Sequence, residues 1–243
     1  MDWVIVIPSY KRPIALKDKT IALLQRYNIP KHLINIFVGN TEEYEMYKKE
    51  FPDYNIVIGV VGLKEQRNYI GEYYPIGQHI VSFDDDVTAL CTLKEGKIVP
   101  LESLINLIND GFKECVQYKY HLWGIAPVCN GFFMKDIIHT DLKFCIGHFW
   151  GVINRRIPLE LCYKEDYERT LQNAVRDGGV IRFSGVAAKT KLGASGGLNT
   201  TQEQRLEFNL DSTKYLMNKY PGLVRLNPKR PGEVLLARKI KKD

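Results

Sequence analysis

Apolar and polar positions along the chain fall into short blocks whose period switches between strand and helix. Residues 3–7, Trp-Val-Ile-Val-Ile, form a β-branched run stopped by Pro8-Ser9-Tyr10, which predicts a buried strand ending in a loop. Thr20 to Tyr27 carries Ile21, Leu23 and Leu24 at near-helical spacing and stops before Pro30, so it predicts a helix. Ile34 to Val38 predicts a second strand ending at Gly39-Asn40, Glu42 to Phe51 a helix, and Ile56 to Val61 a third strand. Lys64 to Tyr74 predicts a helix ended by Pro75, and His79 to Phe83 a fourth strand running directly into Asp84-Asp85-Asp86. This alternation is the signature of right-handed βαβ crossovers and a mostly parallel sheet flanked by helices.

The second half is less regular. Leu101 to Tyr118 predicts a helix opened by Pro100, while Leu122 to Met134 and Phe144 to Ile153 predict strands of a sheet extension. Asp166 to Asp177 predicts a helix ended by Gly178-Gly179, and Val180 to Phe183 a strand. A Lys/Gly stretch over 189–197 and a C-terminal helix near Gln202 to Tyr220 follow. With no low-complexity linker and no internal repeat, the expectation is one α/β domain over 1–243, divided into a ligand-binding half (1–90) and an irregular second half (91–243).

Composition fits that picture. At 243 residues and 45% hydrophobic, the chain can bury a core without disulfides or structural metal. No apolar run approaches the roughly 20 residues that span a bilayer, and Met1-Asp2-Trp3 is not a basic signal-peptide start, so a cytoplasmic protein without membrane partners is expected. Five scattered cysteines without a C-x-x-C pair predict reduced, mostly buried thiols. The formal charge of +6 suits either a polyanionic partner or simple solubility. From Lys229 to Lys242 six basic residues (Lys229, Arg230, Arg238, Lys239, Lys241 and Lys242) make the end of the chain cationic.

In open parallel sheets ligands bind beyond the carboxyl ends of the strands, where Ser9, Tyr10, Lys11, Arg12, Asn40, Gly62 and the three aspartates all fall. Alternation along an extended segment sends Asp84 and Asp86 to one side and Asp85 to the other. Two carboxylates so spaced can grip Mg²⁺ or Mn²⁺; the alternative is a solvated acidic turn or a helix cap. Neither G-x-G-x-x-G nor a P-loop occurs, so phosphate charge falls to metal and side chains.

Three segments together, VIVIPSYKR (Val4 to Arg12), GLKEQRN (Gly62 to Asn68) and IVSFDDD (Ile80 to Asp86), resemble the nucleotide-sugar half of a GT-A (Rossmann-like) glycosyltransferase, and Glu165-Asp166 extends the match. Within that superfamily the IPSYKR opening, the RN helix and the GASGG stretch most resemble the TET-associated glycosyltransferases of phages, which are proposed to glycosylate hydroxymethylated pyrimidines in DNA. The resemblance implies that Pro8, Ser9, Tyr10 and Arg12 line the nucleotide pocket. It also implies that Arg67 or Asn68 contacts the nucleotide, and that Asp84 and Asp86 hold a metal-bound diphosphate with Asp85 beside them. A nucleoside-diphosphate sugar, UDP-linked, and hydroxymethylpyrimidine DNA are then the expected partners. Relatives often complete the metal site with a late His, but no His follows His148, which leaves water or Asn199.

An acceptor hydroxyl needs a general base. Asp166 is the candidate, with Glu165 as the alternative and helix capping as the competing role for both. One base suffices for inverting, in-line attack, whereas retention needs another arrangement. Lys189 and Lys191, with Gly193, Gly196 and Gly197, suit either a lid over the diphosphate or a plain connector. Trp123, Trp150, Phe132, Phe133 and Phe149 are expected in the core rather than stacking on ligand. His148 reads as a structural histidine, and Arg155-Arg156 as a contact for DNA phosphates or a solvated surface. Other acceptors, namely a glycan, a lipid-linked sugar or a protein, and a non-catalytic binding module remain open on sequence grounds.

Overall fold

A computed structural model describes residues 2–190, 202–230, 232–237 and 240. β1 (Trp3–Pro8) leads into a helical stretch built of α1 (Pro13–Leu16), a π turn (Lys17–Ile21) and α2 (Ala22–Arg26). There follow β2 (Ile34–Val38), α3 (Thr41–Glu50), β3 (Asn55–Ile58), α4 (Leu63–Tyr73) and β4 (His79–Phe83). The second half contributes β5 (Val87–Lys94), β6 (Lys97–Pro100), α5 (Leu104–Tyr118), β7 (Leu122–Ala126), β8 (Ile138–His139), β9 (Phe149–Ile153), α6 (Glu165–Asp177) and β10 (Ile181–Thr190). It closes with α7 (Gln202–Lys219) and a small hairpin of β11 (Val224–Leu226) and β12 (Val234–Leu236).

One ten-stranded sheet runs in the order β3-β2-β1-β4-β9-β7-β10-β5-β6, with β8 beside β10. β1 to β4 are mutually parallel, as the βαβ pattern requires, and only β5, β8 and β9 run against the rest. The expected mostly parallel sheet flanked by helices is therefore the observed one. Its continuously apolar strands are buried on both faces; every residue of β2 and β7 is buried. The α5 residues Leu104, Leu107, Ile108, Phe112 and Cys115 join the main core around Trp123. That indole fits only because Gly111 and Gly151 flank it: a Cβ on either would lie 2.6 and 2.1 Å from its ring.

Several expectations are corrected. The helix expected after Pro100 begins at Leu104, capped by the Ser103 hydroxyl that accepts from Asn106 N–H, because Lys97–Pro100 pairs with β5 as a hairpin instead. Its turn, Glu95-Gly96, has φ of 51° and 76°, which only a primed turn uses. The strands foreseen over 122–134 and 144–153 shorten to β7 and β9. The strand expected over Val180 to Phe183 begins at Ile181 and continues as the ten-residue β10, which extends because β5, β7 and β8 all pair with it.

The thiols are not all reduced: Cys91 and Cys129 form a disulfide, while Cys115 and Cys145 are buried and free. β10 lies between β5 and β7, with Ala187 opposite both Cys91 and Ala126, so the chain leaving β7 crosses it to meet Cys91. Trp123 and Phe149 are buried and Trp150 nearly so, but Phe132 and Phe133 are 85% and 64% exposed, on the segment beyond Cys129. No described helix is long and apolar enough to cross a membrane.

Candidate active site

The strand-end loops converge as expected and form two adjoining sites. The first is a pocket of about 240 Å³ lined by Pro8, Ser9, Tyr10, Arg12, Asp85 and, from the β3–α4 turn, Val60, Val61, Gly62 and Leu63. Asp85, only 1% exposed, is held by a 2.6 Å hydrogen bond from Ser9 Oγ and a 2.6 Å ion pair with Arg12. Burial pushes its carboxyl up to about 6, against the opposing pull of Ser9 and Arg12. Tyr47 braces this group: its hydroxyl lies 2.6 Å from Ser9 Oγ and accepts from Arg12 N–H, and burial pushes it up to about 12. Gln66 fixes the opposite wall by accepting from Val60 N–H and donating to Val38 C=O. Tyr10, Val60 and Val61 leave apolar surface exposed, so the pocket offers a ligand flat apolar contact beside a buried ion pair.

The second site lies on the other side of the same turn. Asp84 is half-buried and meets Arg67 of α4 at 3.0 Å. The Arg67 guanidinium also contacts Glu165 Oε1 at 3.4 Å, Gly147 C=O at 3.3 Å and Ser82 Oγ at 3.3 Å. Glu165 and Asp166 open α6, where the exposed N–H groups favour anions; Asp166 Oδ1 accepts from Tyr167 N–H at 2.9 Å. Removal from water, reinforced by the neighbouring Glu165 charge, pushes the Asp166 carboxyl up to about 7. That is the range in which a carboxylate works as a general base near neutral pH. Gly147 packs against this pair: a Cβ there would stand 3.3 Å from Glu165 Oε1 and 3.4 Å from the Asp166 Cβ.

Asp84–Asp86 form a turn between β4 and β5 and not the extended segment expected; Asp85 points into the first site, while Asp84 faces Arg67. Asp86 is half-buried, and burial together with the Asp84 charge raises its carboxyl. The turn is clamped by Thr20 of the π turn, whose Oγ1 donates to Asp84 C=O at 2.7 Å and accepts from Val87 N–H at 3.0 Å. Among the described residues no group of three or more His, Cys, Asp or Glu gathers to hold a metal.

Other expected residues stand elsewhere. The Asn68 side chain is used up on the backbone of Leu159, donating to its C=O and accepting from its N–H at 2.9 and 2.8 Å, and so does not line the first pocket. Arg155 is tied to Asp177 at 2.7 Å and Arg156 donates to Tyr74 C=O, so the pair is engaged within the fold. His148 is half-buried, and desolvation lowers its imidazole; its C=O accepts from Asp84 N–H. Lys189 is exposed near the end of β10, where Thr190 lies opposite Val87, the residue after Asp86. Lys229 and Arg230 are exposed. Lys191, Gly193, Gly196, Gly197, Asn199, Arg238, Lys239, Lys241 and Lys242 lie outside the described residues. Thr20, Tyr47, Gly147 and the Val60-Val61 wall escaped the sequence reading; only Gln66, inside the GLKEQRN segment, carried a signal.

No family model matches the chain, and no curated protein sequence matches it. Among solved structures, an active-site mutant of LgtC aligns at a TM-score of 0.45 and 12% identity, over 73% of this chain and 71% of that one. The glycosyltransferase TarS of S. aureus, residues 1–349, aligns over 90% of this chain at 12% identity with a TM-score of 0.56, and this chain spans 66% of that structure. The architecture that brings Asp84, Asp85 and Arg67 to one strand end is thus a fold that TarS also has.

Proposed function

We propose that this protein is a glycosyltransferase that moves a sugar from a UDP-linked nucleoside-diphosphate sugar to a 5-hydroxymethylpyrimidine in DNA. One observation carries the transferase reading: neighbouring carboxylates at the end of β4 face opposite ways, Asp85 into the pocket of Ser9 and Arg12, Asp84 toward Arg67 and the Glu165-Asp166 pair. The nucleotide occupies the larger pocket, its base against Tyr10 and Val61, and the diphosphate passes the acidic turn. Asp84 and Asp86 are the residues that would hold Mg²⁺ or Mn²⁺, and the bound ion would offset negative charge on the departing diphosphate.

Arg67 adds a fixed cation beside that charge and, by holding Asp84 and Glu165 together, aligns the donor with the base. Asp166 accepts the proton of the hydroxymethyl group as its oxygen bonds to the anomeric carbon. The bond from that carbon to the diphosphate oxygen breaks, and its electron pair leaves with the nucleoside diphosphate. Lys189, exposed beside the turn, adds positive charge at the phosphates. The DNA assignment rests on the resemblance of the sequence and on its basic charge. Phe132 and Phe133, an exposed pair with ring centroids 5.0 Å apart, are suited to stacking on a base drawn out of the duplex.

The test is direct. The purified protein is incubated with Mn²⁺, a panel of nucleotide sugars and 5-hydroxymethylcytosine DNA, and the digested nucleosides are weighed. A hexose or pentose increment on one base is expected; transfer of the sugar to water alone, or a nucleotide-sized increment, rejects the assignment. Asp86→Ala is expected to abolish metal-stimulated transfer in a folded protein, and full retained activity removes the metal from the reading.

A further inference from the structure

Behind the catalytic carboxylates, between α4, β9 and α6, lies a second cavity of about 80 Å³. Arg67, Arg155, Arg156 and Arg169 all contribute to its wall. Three of the four have partners: Arg67 meets Asp84 and Glu165, Arg155 meets Asp177, and Arg156 donates to Tyr74 C=O and lies 3.8 Å from Glu72. Arg169 has none. It is 95% buried, being 5% exposed, yet Nε and both terminal nitrogens of its guanidinium lack a hydrogen-bond acceptor.

The acids nearby are already engaged. Glu168 accepts from the N–H groups of Glu160 and Leu161 and meets Lys219 at 3.2 Å, Glu165 faces Arg67, and Asp166 accepts from Tyr167 N–H. Trp150 covers one face of the Arg169 guanidinium, 3.9 Å from the ring centroid. Stacking satisfies the face of a guanidinium but not its N–H groups, which lie in its plane and call for oxygen acceptors there. A buried charged donor left without acceptors is among the costlier defects a fold can carry. A ligand that supplies those acceptors must bring negative charge, several oxygens in a fork, and a volume that fits a space several times the ~10–15 Å³ one water needs.

We propose that this cavity is a binding site for a small tetrahedral oxyanion of the phosphate class, held by Arg169 against Trp150. At one third of the volume of the Ser9–Asp85 pocket, it takes the free anion and not a nucleotide. The site is separate from the donor pocket but shares Arg67 with the catalytic network, so an occupant there stiffens the side of Arg67 and α6 turned away from the reaction.

Isothermal titration of the full chain with inorganic phosphate tests this, and its outcome does not depend on transferase activity. One saturable site per chain is expected, weakened at least tenfold by Arg169→Gln and unchanged by Arg12→Gln, which alters only the donor pocket. Gly71→Leu gives a second route that leaves Arg169 intact. Gly71 lines the cavity at a helical position where an added Cβ meets nothing closer than 3.9 Å, so the larger side chain fills the space and blocks the anion. Absence of saturable binding to the unaltered chain overturns the proposal, as does equal affinity in Gly71→Leu or in a folded Arg169→Gln. Loss in Arg12→Gln with retention in Arg169→Gln places the phosphate in the donor pocket instead and equally overturns it.

Discussion

The position of Asp166 makes a quantitative statement about pH. Its carboxyl is pushed up to about 7, first by removal from water and next by the Glu165 charge beside it. A base that must be ionised is then only about 3% available at pH 5.5, because each unit below the midpoint costs tenfold. Transfer is expected to fall about 30-fold between pH 8 and pH 5.5, where an ordinary carboxylate would stay ionised throughout. Asp166→Asn is expected to lower the rate by about 10²–10⁴-fold at pH 8, the usual worth of a positioned base, with the gap to the unaltered protein narrowing as the pH falls and that base protonates. Glu165→Gln removes the like charge and should move the midpoint of the profile downward.

Stability carries the opposite sign. A carboxyl whose folded value lies above its unfolded one contributes stability at low pH and loses it as pH rises through about 7. Asp166→Asn should therefore unfold at a higher temperature than the unaltered protein at pH 8, with the difference vanishing near pH 4. The assay is initial-rate transfer in one mixed buffer from pH 5.5 to 8.5, with thermal melts on the same samples. A flat rate profile for the unaltered protein refutes the assignment, as does a Glu165→Gln profile with an unmoved midpoint.

Asp85→Asn deletes the charge that Ser9 and Arg12 share; at about 1.5–3 kcal/mol for a charge-assisted contact, nucleoside-diphosphate affinity by calorimetry should drop roughly 10- to 150-fold, and an unchanged affinity would place the nucleotide elsewhere. Gly151→Ala drives a methyl group into the Trp123 indole, so a loss of about 1–3 kcal/mol in denaturant melts is expected. Thr20→Val releases both hydrogen bonds that clamp the acidic turn and should weaken Mn²⁺-dependent transfer more than it lowers stability. Equal effects on both would reduce Thr20 to a packing residue.

Much of the first half was legible because its determinants are local. A β-branched run stopped by proline is a buried strand wherever it sits, and a repeated strand-helix alternation leaves few ways to close a sheet. From that, Ser9, Arg12 and the aspartates could be placed at one edge. The partnerships were not legible. Arg67 meets Asp84 across 17 residues but the Gly147 carbonyl across 80, and nothing in the sequence marks either as its partner. Asn68 stands next to Arg67, yet the helical turn directs it to Leu159, 91 residues away. The Cys91–Cys129 pair likewise joins β5 to the segment after β7, 38 residues further along the chain. Local pattern fixes which segments become strands and which residues stand at their ends; burial, and with it each carboxyl's charge state and each arginine's partner, is decided by segments far apart in the chain.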